Sequence, residues 1–247
     1  VRRSAACRGV AASLVLLSCS SARTPPAAAG PGPADSRLVA ALRAAIPIDP
    51  IALEGDPYRA WRGRVPPPAP AGTVCAVRFE ADGLQYRLAT FAGEGEARAA
   101  GFAVTHLGAC GTCSTLQDLA VYVERPDLTA PVRRCGIMQD DAASLACIER
   151  LGFSAPCART WYFNARNTRH ECFRVCVLSW IEGEPPTRSD GRLNGCLQCD
   201  EDRSGPVFKA TAGRTRRNSG LRSSIPRPDE EVAHVVHDYV PGAGVPR

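Results

Sequence analysis

The chain has 247 residues, 45% of them apolar and 22% charged, which is enough for a domain with a buried core and too apolar for a disordered segment. Its formal charge is +5, but Arg2, Arg3 and Arg8 sit in the first 18 residues, and the remainder has 27 basic against 25 acidic side chains. That near balance, with no arginine–aromatic strand pattern, excludes nucleic-acid binding as a property of the whole protein.

The first predicted element is an export signal. Three arginines precede an apolar run from Val10 to Leu17, too short to span a bilayer. The run ends in "LLSC", which resembles the signal of bacterial lipoproteins. The resemblance implies that Cys19 is acylated and becomes the mature N-terminus, so the only membrane contact would be a lipid anchor. Residues 19–35 follow as a Pro/Ala/Gly tether, residues 36–241 as a single globular domain, and residues 242–247 as a tail. The expected location is extracytoplasmic, in a bacterial envelope or secreted.

Cysteine usage fits that compartment. Apart from Cys7 and Cys19, ten cysteines lie between Cys75 and Cys199, and an even number in an exported chain predicts a disulfide framework. Spacing alone leaves the pairing open.

Within the domain, Leu38, Leu42 and Ile46 recur at helical spacing after Ser36. "TVCAVRFE-ADG-LQYRLATFA" predicts a β-hairpin turning at Asp82-Gly83, and "GFAVTHLG" a third strand. Residues 93–100 fit a short helix or an ordered loop. From Ser114 the pattern turns helical: Ser114 and Gln117 form a capping box ahead of Leu116, Leu119, Ala120 and Val123, with a stop at Arg125-Pro126. A further helix is predicted from Asp140-Asp141 to Gly152, with Leu145, Ile148 and Leu151 inward. A long one then runs from Ser154 to about Trp180, with Trp161, Ala165, Thr168, Cys172, Val175 and Cys176 inward and a break possible near residues 164–167. Beyond residue 182 the chain reads as loops until a last helix, "DEEVAHVVHDY", carrying His234 and His237. The fold class is α+β: a small antiparallel N-terminal sheet followed by a mainly helical, disulfide-reinforced half.

The candidate site is the strand-to-helix turn "THLGACGTCSTLQDL". His106, Cys110, Cys113, Ser114 and Asp118 would form its floor. Arg214, Arg216 and Arg217 of "AGRTRRNSG", with Asn218, would draw in a small anionic molecule, since guanidinium forks suit carboxylate, phosphate or sulfate. Strand, Cys110-Gly-Thr-Cys113 and helix in that order resemble the active-site context of thioredoxin-like oxidoreductases, but the helical remainder departs from that fold. An alternative is an enzyme in which Cys110 or Cys113 is a nucleophile, His106 its base and Asp118 an orienting group. A zinc or copper site would draw on His106, Cys110 and Cys113 with Cys196 and Cys199 of "CLQC". A third reading is a structural or partner-binding envelope lipoprotein without catalysis.

Overall fold

The computed structural model describes residues 36–237; the segments expected as export signal, acylated Cys19, tether and C-terminal tail fall outside the described residues. Helix α1 (Ser36–Ala44) leads into a two-residue strand β1 (Ile46–Pro47) and, after α2 (Pro57–Ala60), into the hairpin of β2 (Val74–Phe79) and β3 (Gln85–Phe91). Asp82 sets its turn by accepting from the amides of Leu84 and Gln85 at 2.9 and 2.8 Å. Helix α3 (Glu94–Ala99) then returns the chain to β4 (Ala103–Leu107).

The sheet order is β1-β3-β2-β4. Both β3 and β4 run antiparallel to β2, as the alternation implies, while β1 joins β3 in parallel and makes the sheet mixed. A register shift between Cys75 and Ala76 puts Cys75 opposite His106, which sets where β4 hands its last side chains to the turn.

Helices cover the sheet. Helix α4 (Leu116–Glu124) is apolar on nearly every face and is buried on two sides. Leu116, Leu119 and Ala120 meet Leu42 of α1 and Val77 and Tyr86 of the sheet. Val121 and Tyr122 meet a second cluster built from α5 (Thr129–Gly136), α6 (Asp141–Glu149), α7 (Ala155–Ile181) and α9 (Gly205–Ala212). Helix α8 (Gly195–Arg203) packs on the far half of α7.

Five disulfides brace this arrangement: Cys75–Cys110, Cys113–Cys157, Cys135–Cys147, Cys172–Cys199 and Cys176–Cys196. The last two fasten α8 to α7. No helix among the described residues is long and apolar enough to cross a membrane.

Four expectations are corrected. Thr115, not Ser114, caps α4 by accepting from Asp118 N at 3.1 Å, because the Ser114 hydroxyl is already committed to His106 and Gly111. Helix α7 is unbroken through residues 164–167, and its buried residues form no single stripe because its two halves pack on different partners. Helices α8 and α9 replace the loop expected beyond residue 182; Asn194 caps the first, accepting from Leu197 N at 2.9 Å. The last segment is one 3-10 turn, Asp229–Glu231, followed by irregular chain through His237 that starts extended at Val232. There Ala233 N donates to Arg217 O at 2.8 Å, and the β-branched valines of this stretch disfavour a helix.

Candidate functional site

The turn after β4 is closed from three directions. Gly108 turns the chain at φ +87°, and the disulfide to Cys75 ties Cys110 back to β2. The disulfide to Cys157 ties Cys113 to α7. The end of α9 presses in from the C-terminal side, where Thr112 N donates to Thr211 O at 3.0 Å and Cys113 N to Ala212 O at 2.9 Å. A Cβ on Gly111 would lie 2.4 Å from Thr211 O and one on Gly213 2.5 Å from Gly111 N, so both positions need glycine for this approach.

Inside the turn, His106, Ser114, Asp118 and Arg214 are fully buried. Burial, with the nearby Arg214 charge, lowers the His106 pKa to about 3, so the ring is neutral. Its Nδ1 faces the Leu107 carbonyl at 2.9 Å and must carry the hydrogen, because a carbonyl only accepts. Nε2 is therefore bare, and the Ser114 hydroxyl donates to it at 2.7 Å while accepting from Gly111 N at 2.8 Å.

Arg214 fills the space behind this pair. Its guanidinium donates to the carbonyls of Thr105 at 3.0 Å, Ser114 at 3.1 Å and Cys113 at 3.2 Å, and to the hydroxyls of Thr105 and Ser219. Asp118 accepts from Thr115 Oγ1 at 2.5 Å, Ser154 N at 2.8 Å and Ser154 Oγ at 2.9 Å, so its carboxylate serves the N-terminus of α7. Burial raises its pKa to about 6 despite those donors.

The structure thus brings His106, Ser114 and Arg214 together in one polar network with Asp118 nearby. It gives Cys110 and Cys113 separate disulfide partners, so neither is a free thiol and the pair does not close on itself. The metal grouping is dispersed as well: Cys196 and Cys199 are bonded to α7, and among the described residues no three His, Cys, Asp or Glu side chains are placed to hold a metal ion.

The arginine loop does not act as one clamp. Arg214 turns inward, and Arg217 pairs with Glu231 at 2.9 Å and Glu201 at 3.5 Å. Asn218 braces the loop, with Nδ2 donating to Leu107 O and Gly213 O at 2.7 Å each. His237 Nε2 reaches Ser219 O at 2.8 Å, while His234 is exposed.

Arg216 goes elsewhere. It lines a cleft of about 120 Å³ with Tyr122, Leu128, Thr129, Trp161, Phe208, Thr215 and Ser223. Its Nη1 donates to Tyr122 O at 2.8 Å and Arg222 O at 3.2 Å, and its guanidinium lies 5.5 Å from the Tyr122 ring centre. Burial lowers its pKa to about 10, and no carboxylate among the described residues forms an ion pair with it. Five buried side-chain polar atoms among the described residues lack a hydrogen-bond partner, and three of them belong to residues of this cleft: Arg216 Nη2, Tyr122 Oη and Trp161 Nε1. Burial pushes the Tyr122 hydroxyl well up, against the pull of Arg216 and of the Trp161 N–H beside it. A second cleft of about 280 Å³ adjoins across Thr129, between Asp127, Arg133, Pro186 and Ile225.

The sequence pointed to Arg216 and to Trp161 as a packing residue, and Trp161 does pack on the core beside Phe153 and Phe208, but the Phe208 segment read as loop. The available signals were the Asn194 cap and the Gly205-Pro206 start of α9.

Residues 141–235 match a family of unknown function (DUF8771), a span that runs from α6 through the Arg216 wall of the cleft. No curated protein and no solved structure matches the chain.

Proposed function

We propose that this is an extracytoplasmic binding protein for a small anionic molecule, exported by residues 1–18 and held to the membrane through a lipid on Cys19. In this reading residues 36–241 are the binding domain, carried on the tether. The ligand's charge is taken by Arg216, in the cleft beside Tyr122 and Trp161, and not at the His106–Asp118 turn, whose polar side chains are buried against one another.

One observation carries the proposal. A guanidinium nitrogen is buried without a hydrogen-bond partner in the wall of a cleft lined by Tyr122, Trp161 and Phe208, and the Tyr122 hydroxyl and Trp161 N–H of the same wall lack one too. An unmade hydrogen bond at a buried donor costs about 1–3 kcal/mol, more for a charged group, and an anion recovers that cost. The Cys113–Cys157 and Cys135–Cys147 disulfides brace the α5–α7 side of the cleft without a ligand.

The test is a thermal-shift panel of acetate, benzoate, phosphate and sulfate on the mature chain, with Arg216→Gln and Arg217→Gln. At least one anion should raise the melting temperature of wild type and of Arg217→Gln but not of Arg216→Gln. Failure of every anion, or an undiminished shift in Arg216→Gln, overturns it. Mass analysis of the mature N-terminus tests the anchor separately: an unacylated product cleaved elsewhere removes it.

A further inference from the structure

We infer, resting on the anion-binding reading, that the guest of this cleft is a small planar carboxylate with an aromatic or conjugated body. A tetrahedral oxyanion is the poorer fit. Three features support this.

The first is the supply of donors. Arg216 Nη2 and Trp161 Nε1 can only donate, and the Tyr122 hydroxyl lies beside the Trp161 N–H. One cation with a small, fixed set of donors matches a carboxylate, which carries a single charge. Phosphate or sulfate brings more oxygens and more hydration than so few donors replace, leaving acceptors unpaired in a largely apolar space.

The second is the shape and character of the walls. Trp161 meets Phe208 at 4.6 Å between ring centres with a 57° tilt, and stacks on Phe153 at 5.9 Å and 27° on its other side. Leu128 adds a buried aliphatic side chain to the lining. Rings held at such angles give a flat guest both a face and an edge to lie against. The Tyr122 ring, already under the guanidinium, keeps that cation oriented.

The third is size. A cleft of about 120 Å³ lies below the usual 300–1,000 Å³ of drug-sized pockets, so it holds an acid head and about one ring. The hydroxyls of Thr129, Thr215 and Ser223 leave room for polar substitution on that ring.

Isothermal titration and tryptophan fluorescence with benzoate, cyclohexanecarboxylate, acetate, phosphate and sulfate test this on wild type, Arg216→Gln and Trp161→Phe. Benzoate should bind at least tenfold tighter than acetate, phosphate or sulfate, and several-fold tighter than cyclohexanecarboxylate. It should quench a signal that Trp161→Phe lacks, and that variant, which keeps a ring but loses the N–H, should bind it several-fold more weakly. Phosphate or sulfate binding as tightly as benzoate, with Arg216→Gln abolishing both, overturns the planar carboxylate while leaving the anion-binding reading intact. Cyclohexanecarboxylate equal to benzoate likewise overturns planarity. Benzoate binding equally well to Arg216→Gln overturns both.

Discussion

The Ser114 hydroxyl donates to the Nε2 of His106 at 2.7 Å, with both side chains shut away from solvent. A neutral imidazole accepting a serine proton is the arrangement that activates nucleophiles, yet here Ser114 Oγ also holds the amide of Gly111. Ser114→Ala should cost about 1–3 kcal/mol, because it strands the imidazole nitrogen and that amide together. Urea unfolding measures this. A neutral substitution would mean that water replaces the hydroxyl and that the turn is less tightly closed than its geometry implies.

The same histidine makes the fold acid-sensitive. Its pKa falls from 6.5 unfolded to about 3 folded, so its contribution is complete above pH 6.5 and is lost as pH drops toward 3. The window is worth on the order of 5 kcal/mol at about 1.4 kcal/mol per pKa unit. Stability curves of wild type and His106→Gln between pH 3 and 7 should converge toward the acid end; parallel curves would assign the acid lability to other groups.

Asp118 works in the opposite direction. Its pKa rises from 3.8 to about 6, so the stability it contributes is full below pH 3.8 and is lost as pH climbs through 6. Relative to wild type, Asp118→Asn should gain on the order of 3 kcal/mol between pH 4 and 7, whatever its offset at the start. A pH-independent difference would show that Asp118 titrates normally.

Arg214 and Arg217 are three residues apart and should respond very differently. Arg214→Met removes the donor serving the carbonyls of Thr105, Cys113 and Ser114, and should cost about 3 kcal/mol or more. Lysine should restore little, since one ammonium cannot reproduce the fork. Arg217→Gln removes partly exposed ion pairs and should cost under about 1 kcal/mol. Equal denaturant midpoints for the two variants would refute this division.

The cross-links should also rank by loop length. Cys113–Cys157 spans 44 residues and Cys135–Cys147 only 12. Chain entropy gives about 4 kcal/mol for the longer and about 3 for the shorter. Paired alanine replacements followed by calorimetry test the order, and titration of the native protein should find none of the ten cysteines from Cys75 to Cys199 free.

Local pattern carried much of this fold. Proline, glycine and the Asp140 cap punctuated α4, α6 and α7 where the apolar period was also clear, and Asp82-Gly83 announced the hairpin. Helix α8 had its Asn194 cap but no apolar period, because it has no buried residue of its own; two disulfides hold it in place of an apolar stripe. The candidate site was legible only as residue types. Arg214, Arg216 and Arg217 look alike in sequence, and the direction each takes is set by partners about a hundred positions away, Ser114 for the first and Tyr122 for the second.

The last cysteine, Cys199, comes before the loop that carries Arg214 and Arg216. Every cross-link among the described residues therefore belongs to a covalent chassis, while one wall of the Arg216 cleft is a flap secured by the buried Arg214 guanidinium, Asn218 and the strap at Ala233. No covalent cross-link ties that flap down, so the lifetime of its amides in hydrogen exchange should be a clock separate from that of the chassis. Under the proposed function a guest at Arg216 should slow that clock, while reductant reaches the latch only through the turn at Cys113, whose carbonyl Arg214 holds.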